Sequence, residues 1–479
     1  AAQFGQSDAE VYEGLAEAWV RQVEMAATRG QPTEVAYAAA IENSDKITTA
    51  EPHSTAGPLK KAYAALLTMA GTGSAERVQK CLAEAQAVLA KEPGNPYASD
   101  VAAGCNAFAA DVAQSRGDDP EPLLRKSLAL LEPAVKKYPY FLWGINDLSN
   151  VFVTLGAYLQ QRGKPGAKDL FDKALSYANT AIELDATYVT AFRNQLYIHE
   201  KMVSELDSAQ SLIRVFDDSD RVFRLCMDKN PQFVQCHINY LSVYARASAR
   251  LLLAGHDVQA KIQRGKETLA TARKLGGAFL DLEQYAALLL LVEARDRMAH
   301  KQDPSSSLTA LQETLAKCLA LSPQDAMCRT ILAQAEWVKA DFATQQKAQA
   351  MPLLQAALAK ATLATQSPET YPDAWQVLAE SQLRLVGSDE TTPKVQLRAI
   401  QDGLAATDKV FALNPNHALG HATRGQLLLL WAQKDKDALQ KRDHAIAATK
   451  EMERAIRQDA LLTVRMLTLL PVARALTSP

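Results

Sequence analysis

Long apolar runs are missing from this sequence of 479 residues. The longest, at 286–292 and 427–432, fall far short of the roughly 20 apolar residues that a membrane-spanning helix needs. Neither sign of charge is in excess, since 52 Lys and Arg stand against 54 Asp and Glu. Because no basic field is present to attract a phosphate backbone, the sequence predicts neither membrane insertion by this segment nor a nucleic-acid partner.

Catalytic and cofactor motifs are missing as well. The sequence contains no GxSxG and no HExxH, and Gly71-Thr72-Gly73 lacks both the third Gly of a dinucleotide loop and the Lys of a P-loop, which makes it a predicted turn. His417 and His421 stand four apart but have no carboxylate or thiol partner in register, so we interpret them as a helix start. We predict no enzyme activity for this segment, no cofactor and no metal site.

The sequence does contain a repeat of about 46 residues. Helical runs end alike, with a small residue, a few mostly apolar positions and then a Pro, as at 226–231 and 318–323. Apolar residues within each repeat fall at i, i+3 and i+4, which indicates two helices joined by a turn rich in Gly, Pro or Asp. The predicted repeat boundaries are Pro52, Pro93, Pro139, Ala186, Pro231, Gly276-Gly277, Pro323, Pro368 and Pro415.

Small residues recur at two positions of the repeat. Five before the boundary stand Ala134, Ala181, Cys226, Ala272 and Cys318; twelve before it stand Cys81, Ser127, Ala174, Ser219, Gly265, Ala356 and Gly403, with Leu311 as the exception. The period falls in the HEAT range, since a standard tetratricopeptide repeat has about 34 residues. Small residues where two helices pack closely are nevertheless typical of tetratricopeptide repeats, so we predict tetratricopeptide-like units with lengthened helices and turns.

A single helix pair cannot bury both of its faces, so neighbouring pairs must stack. We therefore predict an all-α fold, a right-handed superhelical solenoid of about ten tetratricopeptide-like hairpins that forms one domain over residues 1–479. Its predicted parts are an N-terminal capping repeat at 1–52, central repeats at 53–415, and a C-terminal repeat and cap at 416–479.

Two segments carry a resemblance to a known family. RGDDPEPLLRKSLALLEPAVKKYP (116–139) and RGKPGAKDLFDKALSYANTAIELDA (162–186) are similar to the long-period tetratricopeptide regions that follow the catalytic domain of bacterial Hanks-type serine/threonine protein kinases. The resemblance covers most of the chain from about residue 75 onward. It implies a sensor or protein-interaction region of a kinase, although the kinase motifs themselves are not in this sequence.

All 6 cysteines have a partner mirrored across a predicted turn, five or twelve residues on either side of the boundary. Residues equally far from a tight turn lie level on antiparallel helices, within reach of a disulfide. The alternative is that cysteine serves only as a small apolar residue at close-packed positions. We predict three disulfides: Cys81–Cys105, Cys226–Cys236 and Cys318–Cys328.

The cysteines also bear on the compartment, because disulfides persist in oxidising surroundings. Together with the kinase resemblance, they predict a periplasmic or extracellular sensor attached to a membrane protein. The chain begins at Ala1 with no Met and no signal-like stretch, so we expect it to be part of a longer chain from which any targeting segment is absent or removed.

A ligand is predicted to bind the concave groove that the first helix of each pair lines in tetratricopeptide superhelices. Positions about seven and eleven after each boundary point into that groove, and amides and aromatic rings there suit an extended peptide or protein ligand. A merely solvated inner face is the alternative. The predicted groove residues are Asn146, Asn150, Arg193, Tyr197, Gln284, Gln334, Gln376, Glu380 and Gln426, with Trp143 and Trp337 near the same surface.

Three other functions compete with the sensor hypothesis. A cytoplasmic adaptor would hold its cysteines reduced at packing positions. A periplasmic lipoprotein or transporter accessory protein would consist of the solenoid alone. A hydrolase on a helical scaffold is disfavoured, because no nucleophile has a base at a usable spacing.

Overall fold

The computed structural model describes residues 8–28, 31–72, 75–368 and 371–477. Over these residues the chain forms α-helices, two short 3₁₀ helices at Val203–Glu205 and Ala460–Leu462, and turns, with no strand. The α-helices are α1 Ala9–Thr28, α2 Glu34–Ala50, α3 Ala56–Thr72, α4 Ala75–Lys91, α5 Pro96–Ser115, α6 Glu121–Lys137, α7 Leu142–Gln161, α8 Ala167–Leu184, α9 Val189–Met202, α10 Ala209–Lys229, α11 Val234–Leu253, α12 Gln259–Leu275, α13 Leu280–Ala299, α14 Ser305–Leu321, α15 Ala326–Gln345, α16 Met351–Ala364, α17 Pro372–Val386, α18 Pro393–Leu413, α19 Ala418–Lys434, α20 Ala438–Gln458, α21 Thr463–Met466 and α22 Leu469–Ala475.

The helices begin and end where the repeat predicts. Each predicted boundary lies outside helix, between an even-numbered helix and the next odd-numbered one. Side chains just after the boundaries start the next helix: Asn95 accepts a hydrogen bond from the N–H of Ala98 at 3.0 Å, and Asp325 accepts one from the N–H of Cys328 at 2.7 Å. The predicted all-helical class and its helical hairpins are confirmed. Of the predicted turn at 71–73, Gly71 lies in α3 and Gly73 lies outside the described residues.

Odd-numbered helices contact one another in two separate series. α1 contacts α3 and α3 contacts α5, and a second series runs through α11, α13, α15, α17 and α19. Each of these helices also packs on its even-numbered hairpin partner, so it has neighbours on several sides. α11 accordingly buries residues around its whole circumference, whereas α12 buries one face. We call the contacting first helices the odd-helix layer.

The chain divides into two compact units, and the division falls within α7 and α9. Unit 1 comprises residues 1–158, 166–198 and 275–279, and unit 2 comprises 159–165, 199–274 and 280–479. The core of unit 1 around α3 to α5 is built of small residues, among them Ala62, Ala85 and Ala102. In unit 2 the C-terminal residues return to earlier helices: Arg250 of α11 pairs with Asp459 at 2.9 Å.

Close packing at the small positions sets the spacing between helices. A Cβ atom added to Gly265 would lie 2.8 Å from a methyl carbon of Leu289, and one added to Gly403 would lie 2.8 Å from a methyl carbon of Leu427. Both glycines stand twelve residues before a boundary, and both leucines lie on the odd-numbered helix that follows. The side chain of the next helix therefore occupies the space that a larger residue would need.

Gly403→Leu tests this packing. We expect it to lower the free energy of unfolding by about 1–3 kcal/mol, because the added side chain must displace Leu427. The better helix propensity of Leu offsets only about 0.8 kcal/mol of the strain. The matched control is Ala405→Leu, at an exposed position two residues further along α18, and equal urea midpoints for the two variants would refute the close approach.

Candidate functional site

The predicted groove residues differ in how far they reach solvent. Trp143 is 42% exposed. Six others are half-buried: Asn150, Arg193, Tyr197, Gln284, Gln334 and Gln426. Four are buried: Asn146, Trp337, Gln376 and Glu380. All of them lie on odd-numbered helices, and several meet one another or a charged neighbour in two clusters, one in each unit.

Trp337 corrects one expectation. It was expected near the groove surface, but only 2% of it is exposed. Its indole N–H donates to the hydroxyl of Ser381 on α17 at 2.9 Å, and the guanidinium of Arg384 lies 4.7 Å from the ring centre. The large ring fills the contact between α15 and α17, so packing and not solvent exposure determines its place.

The unit-1 acid cluster consists of Asp100 on α5, Asn146 and Asp147 on α7, and Asn194 on α9. The two carboxyl groups hydrogen bond to each other. The amide of Asn146 donates to Asp147 at 3.1 Å and accepts from Asn194 at 2.8 Å. Three neighbouring odd-numbered helices are thus joined by polar side chains, and one oxygen of Asp100 is buried without a hydrogen-bond donor among the described residues.

Burial controls the charge of this cluster. It raises the pKa of Asp147 to about 6 and, together with the neighbouring Asp147 carboxylate, raises the pKa of Asp100 well above its usual value. Two carboxylates in contact cannot both be charged without a cation, so the pair shares a proton over a wide pH range. Protonation of this pair therefore changes the charge on the odd-numbered helices that carry it.

The unit-2 arginine cluster consists of Arg295 on α13, Asp341 on α15, Glu380 and Arg384 on α17, and Arg465 on α21. Arg384 lies 3.4 Å from Glu380 and 3.3 Å from Asp341, and Arg465 lies 3.4 Å from Glu380. Burial opposes the charge of Glu380, but Arg465 and Arg384 outweigh it and lower the pKa of Glu380 to about 2. This carboxylate stays charged under all ordinary conditions.

The predicted groove residues include one member of each cluster, Asn146 and Glu380, and the other members were missed. Asp100 stands seven after Pro93, so the groove spacing would have found it, whereas Asp341 stands eighteen after Pro323 and lies outside that spacing. Arg384 follows Glu380 by one helical turn. Arg465 had no such signal, because it comes from outside the repeats and meets Glu380 at a separation of 85 residues.

The structure brings each mirrored cysteine pair together as a disulfide. The Cα atoms are 6.2 Å apart for Cys81–Cys105, 6.8 Å for Cys226–Cys236 and 6.5 Å for Cys318–Cys328. All six side chains are fully buried. Each pair joins the second helix of one hairpin to the first helix of the next.

Among the described residues, one set of three side chains has the spacing of metal ligands. The ligand atoms of Cys318, Asp325 and Cys328 all lie within 4.8 Å of one another. The two sulfurs are bonded to each other. The carboxylate of Asp325 caps α15 and accepts the Gln284 amide at 2.7 Å. Since all three groups already have partners, we assign the set to helix capping and cross-linking.

The interpretation of His417 as a helix start is confirmed, because its ring accepts the N–H of Gly420 at 3.0 Å and caps α19. No carboxylate partner stands in register in the sequence, but each ring has one on another helix. His417 lies 2.8 Å from Asp373 and His421 lies 2.6 Å from Glu451. The two rings are held by different carboxylates on different helices, which is why sequence register did not reveal the pairs.

Comparison with known proteins names no family: no protein-family description and no curated protein matches the chain. The solved structures to which it is similar include a human IFIT1 dimer with PPP-AAAA, at 14% identity over 89% of this chain and 79% of that chain, TM-score 0.47. Yeast Tom70 has 12% identity over 100% and 93%, TM-score 0.43. The APC/C hetero-tetramer Cut9–Hcn1 has 13% identity over 97% and 98%, TM-score 0.33.

The kinase resemblance stays a prediction from the sequence. No helix among the described residues has the length and apolar content to cross a bilayer.

The acid pair predicts a pH dependence. Because the pKa of Asp147 is raised in the folded chain, the folded state holds a proton that the unfolded state has released between about pH 4 and pH 6. The free energy of unfolding should therefore fall as pH rises through this window. In Asp147→Asn the fall should be smaller by on the order of 1 kcal/mol, measured by urea unfolding at a series of pH values.

The control for this measurement is Asp118→Asn, an exposed residue in the turn after α5. It should keep the wild-type pH profile. If Asp147→Asn also keeps that profile, the two carboxyl groups do not share a proton in the folded state.

Proposed function

We propose that this chain is a non-catalytic scaffold that binds a protein or an extended peptide along its odd-helix layer. The observation that carries the proposal is the unused hydrogen-bonding capacity of that layer. Among the described residues, the half-buried side chains of Asn150 and Gln334 take part in no hydrogen bond. Amides that reach solvent and form no bond within the described residues are free to pair with a ligand, and an extended backbone offers donors and acceptors at regular intervals.

The two clusters support the same function. Each places charged or titratable groups on odd-numbered helices, where a ligand side chain could add to an existing network. An extended chain that hydrogen bonds through its backbone and pairs through its side chains would gain both affinity and selectivity from such a surface.

We further propose that the scaffold works outside the cytoplasm, as the sensor or interaction region of a bacterial serine/threonine kinase. The three buried cysteine pairs favour an oxidising compartment. The kinase assignment rests on the resemblance of segments 116–139 and 162–186. Binding in the groove would be relayed to the attached domain by small changes in how the repeats stack.

Binding is tested by two separate alanine variants. Asn150→Ala and Gln334→Ala should each weaken a peptide selected on the purified protein about tenfold, which corresponds to about 1.4 kcal/mol. Neither should change the thermal midpoint, because neither side chain bonds within the protein. The matched controls are Gln86→Ala and Gln355→Ala, exposed amides on α4 and α16. Peptide affinity that survives both groove variants would refute this binding surface.

The compartment is tested by counting thiols. Protein exported to an oxidising compartment and denatured without reductant should bind no alkylating agent before reduction and six equivalents after it, as read by intact mass. Six thiols labelled before reduction would contradict the extracytoplasmic proposal and favour the cytoplasmic adaptor.

A further inference from the structure

We propose that the unit-2 arginine cluster is a binding site for a single carboxylate of the ligand, with Arg295 as the residue that receives it. The proposal rests on the function above, because it names the chemistry that the odd-helix layer of unit 2 recognises. Its basis is the guanidinium of Arg295, which forms no ion pair with any residue that the structure describes.

Arg295 differs from the other arginines of the cluster. Arg384 and Arg465 both reach Glu380, and Arg384 also reaches Asp341. Arg295 lies within the electrostatic influence of these four groups but forms no ion pair and no hydrogen bond with any described residue. A guanidinium has five N–H donors in a fixed fork, so one that forms no bond with the described residues can offer the whole fork to a ligand carboxylate.

The surroundings of Arg295 support this interpretation. Burial lowers the pKa of Arg295 to about 10. The positive charges of Arg384 and Arg465 also lower this pKa, whereas the negative charges of Glu380 and Asp341 raise it. Arg246 on α11, another arginine of unit 2, differs because it forms an ion pair with Glu200. The same Glu200 also lies 3.0 Å from Lys201. The described residues thus provide a counter-charge for Arg246 and none in contact with Arg295.

Arg384 adds a second donor. The Nε–H of Arg384 is buried and has no acceptor among the described residues. Its distances of 3.3–3.4 Å to Asp341 and Glu380 exceed the 2.7–2.9 Å or so of strong charge-assisted bonds. The ring of Trp337 beneath it keeps the guanidinium plane in place. An incoming carboxylate could take this N–H without breaking a strong existing bond.

The charge of the cluster selects the ligand. Three guanidinium groups and two carboxylates leave one positive charge, which matches one carboxylate and not a phosphodiester chain. The site is open to solvent, since the side chain of Asp341 is 49% exposed and those of Arg384 and Arg465 are 26% and 24% exposed. The carboxylate could come from an Asp or Glu side chain or from the C-terminus of a peptide.

The experiment uses four short Gly-Ser peptides and follows binding by calorimetry and by the shift of the thermal midpoint. Two peptides have an amidated C-terminus: the first carries a single Glu and the second carries Gln in its place. The other two have a free C-terminal carboxylate: the third carries Gln and the fourth carries Glu. The Glu peptide or the free-carboxylate peptide should bind the wild-type protein, and the neutral peptide should not. Which of the two binds identifies the source of the carboxylate.

Arg295→Met should weaken that binding at least tenfold. In chloride buffer without peptide its thermal midpoint should equal or exceed that of the wild type, because the substitution breaks no ion pair or hydrogen bond with a described residue. Arg295→Lys keeps the charge but not the fork, and should recover only part of the affinity. Arg398→Met is the control, since Arg398 is an 84% exposed arginine on α18.

Three results would overturn the proposal. The first is unchanged peptide affinity in Arg295→Met, and the second is a thermal midpoint several degrees below wild type in that variant without peptide. The third is binding of a short RNA that depends on Arg295 while the acidic peptides fail to bind. The groove variants separate this proposal from the general function. Loss of peptide binding in Gln334→Ala with no effect of Arg295→Met would keep the scaffold and reject the carboxylate site. The reverse result would keep the site and reject the groove.

Discussion

The other features of the structure depend on one constraint, the close approach between neighbouring helices. Small residues at two positions of the repeat permit this approach. At Gly265 and Gly403 a leucine of the next odd-numbered helix occupies the space where a Cβ would lie. A larger residue at either position would separate the helices and interrupt the odd-helix layer. At Cys81, which stands at the same position of its repeat, a sulfur bonded to Cys105 holds the corresponding contact covalently.

The odd-helix layer explains why polar side chains gather in clusters. A polar residue on the shared face of these helices meets the next helix before it meets water. Asn146 on α7 therefore bonds to Asn194 on α9 at 2.8 Å. Limited solvent strengthens such pairs, but it also makes each unpaired member costly. For that reason a buried atom without a partner among the described residues, such as one oxygen of Asp100 or the Nε of Arg384, is a place where a proton or a ligand has a large effect.

The two clusters have opposite electrostatic character on the same architecture. In unit 1 burial raises the pKa values of Asp100 and Asp147, so the acid pair holds a proton. In unit 2 the arginines keep the carboxylate of Glu380 charged. The hairpins determine where these faces lie, whereas the residues placed on them determine what each can bind. An all-helical repeat scaffold of this kind is compatible with different ligands in its different parts.

The repeat boundaries, the hairpins and the cysteine pairing could be predicted from the amino-acid sequence alone. They depend on helix periodicity, on turn residues and on contacts between residues 10 or 24 apart, as in the three disulfides, and such short-range rules recur in every repeat. Only the tertiary structure decided which charged groups meet and which groove residues are buried. Trp337 is buried because Ser381 and Arg384 cover it from the next repeat, and Glu380 acquires Arg465 from a segment beyond the repeats. These contacts require several helices to be in place at once, so no local pattern in the sequence encodes them.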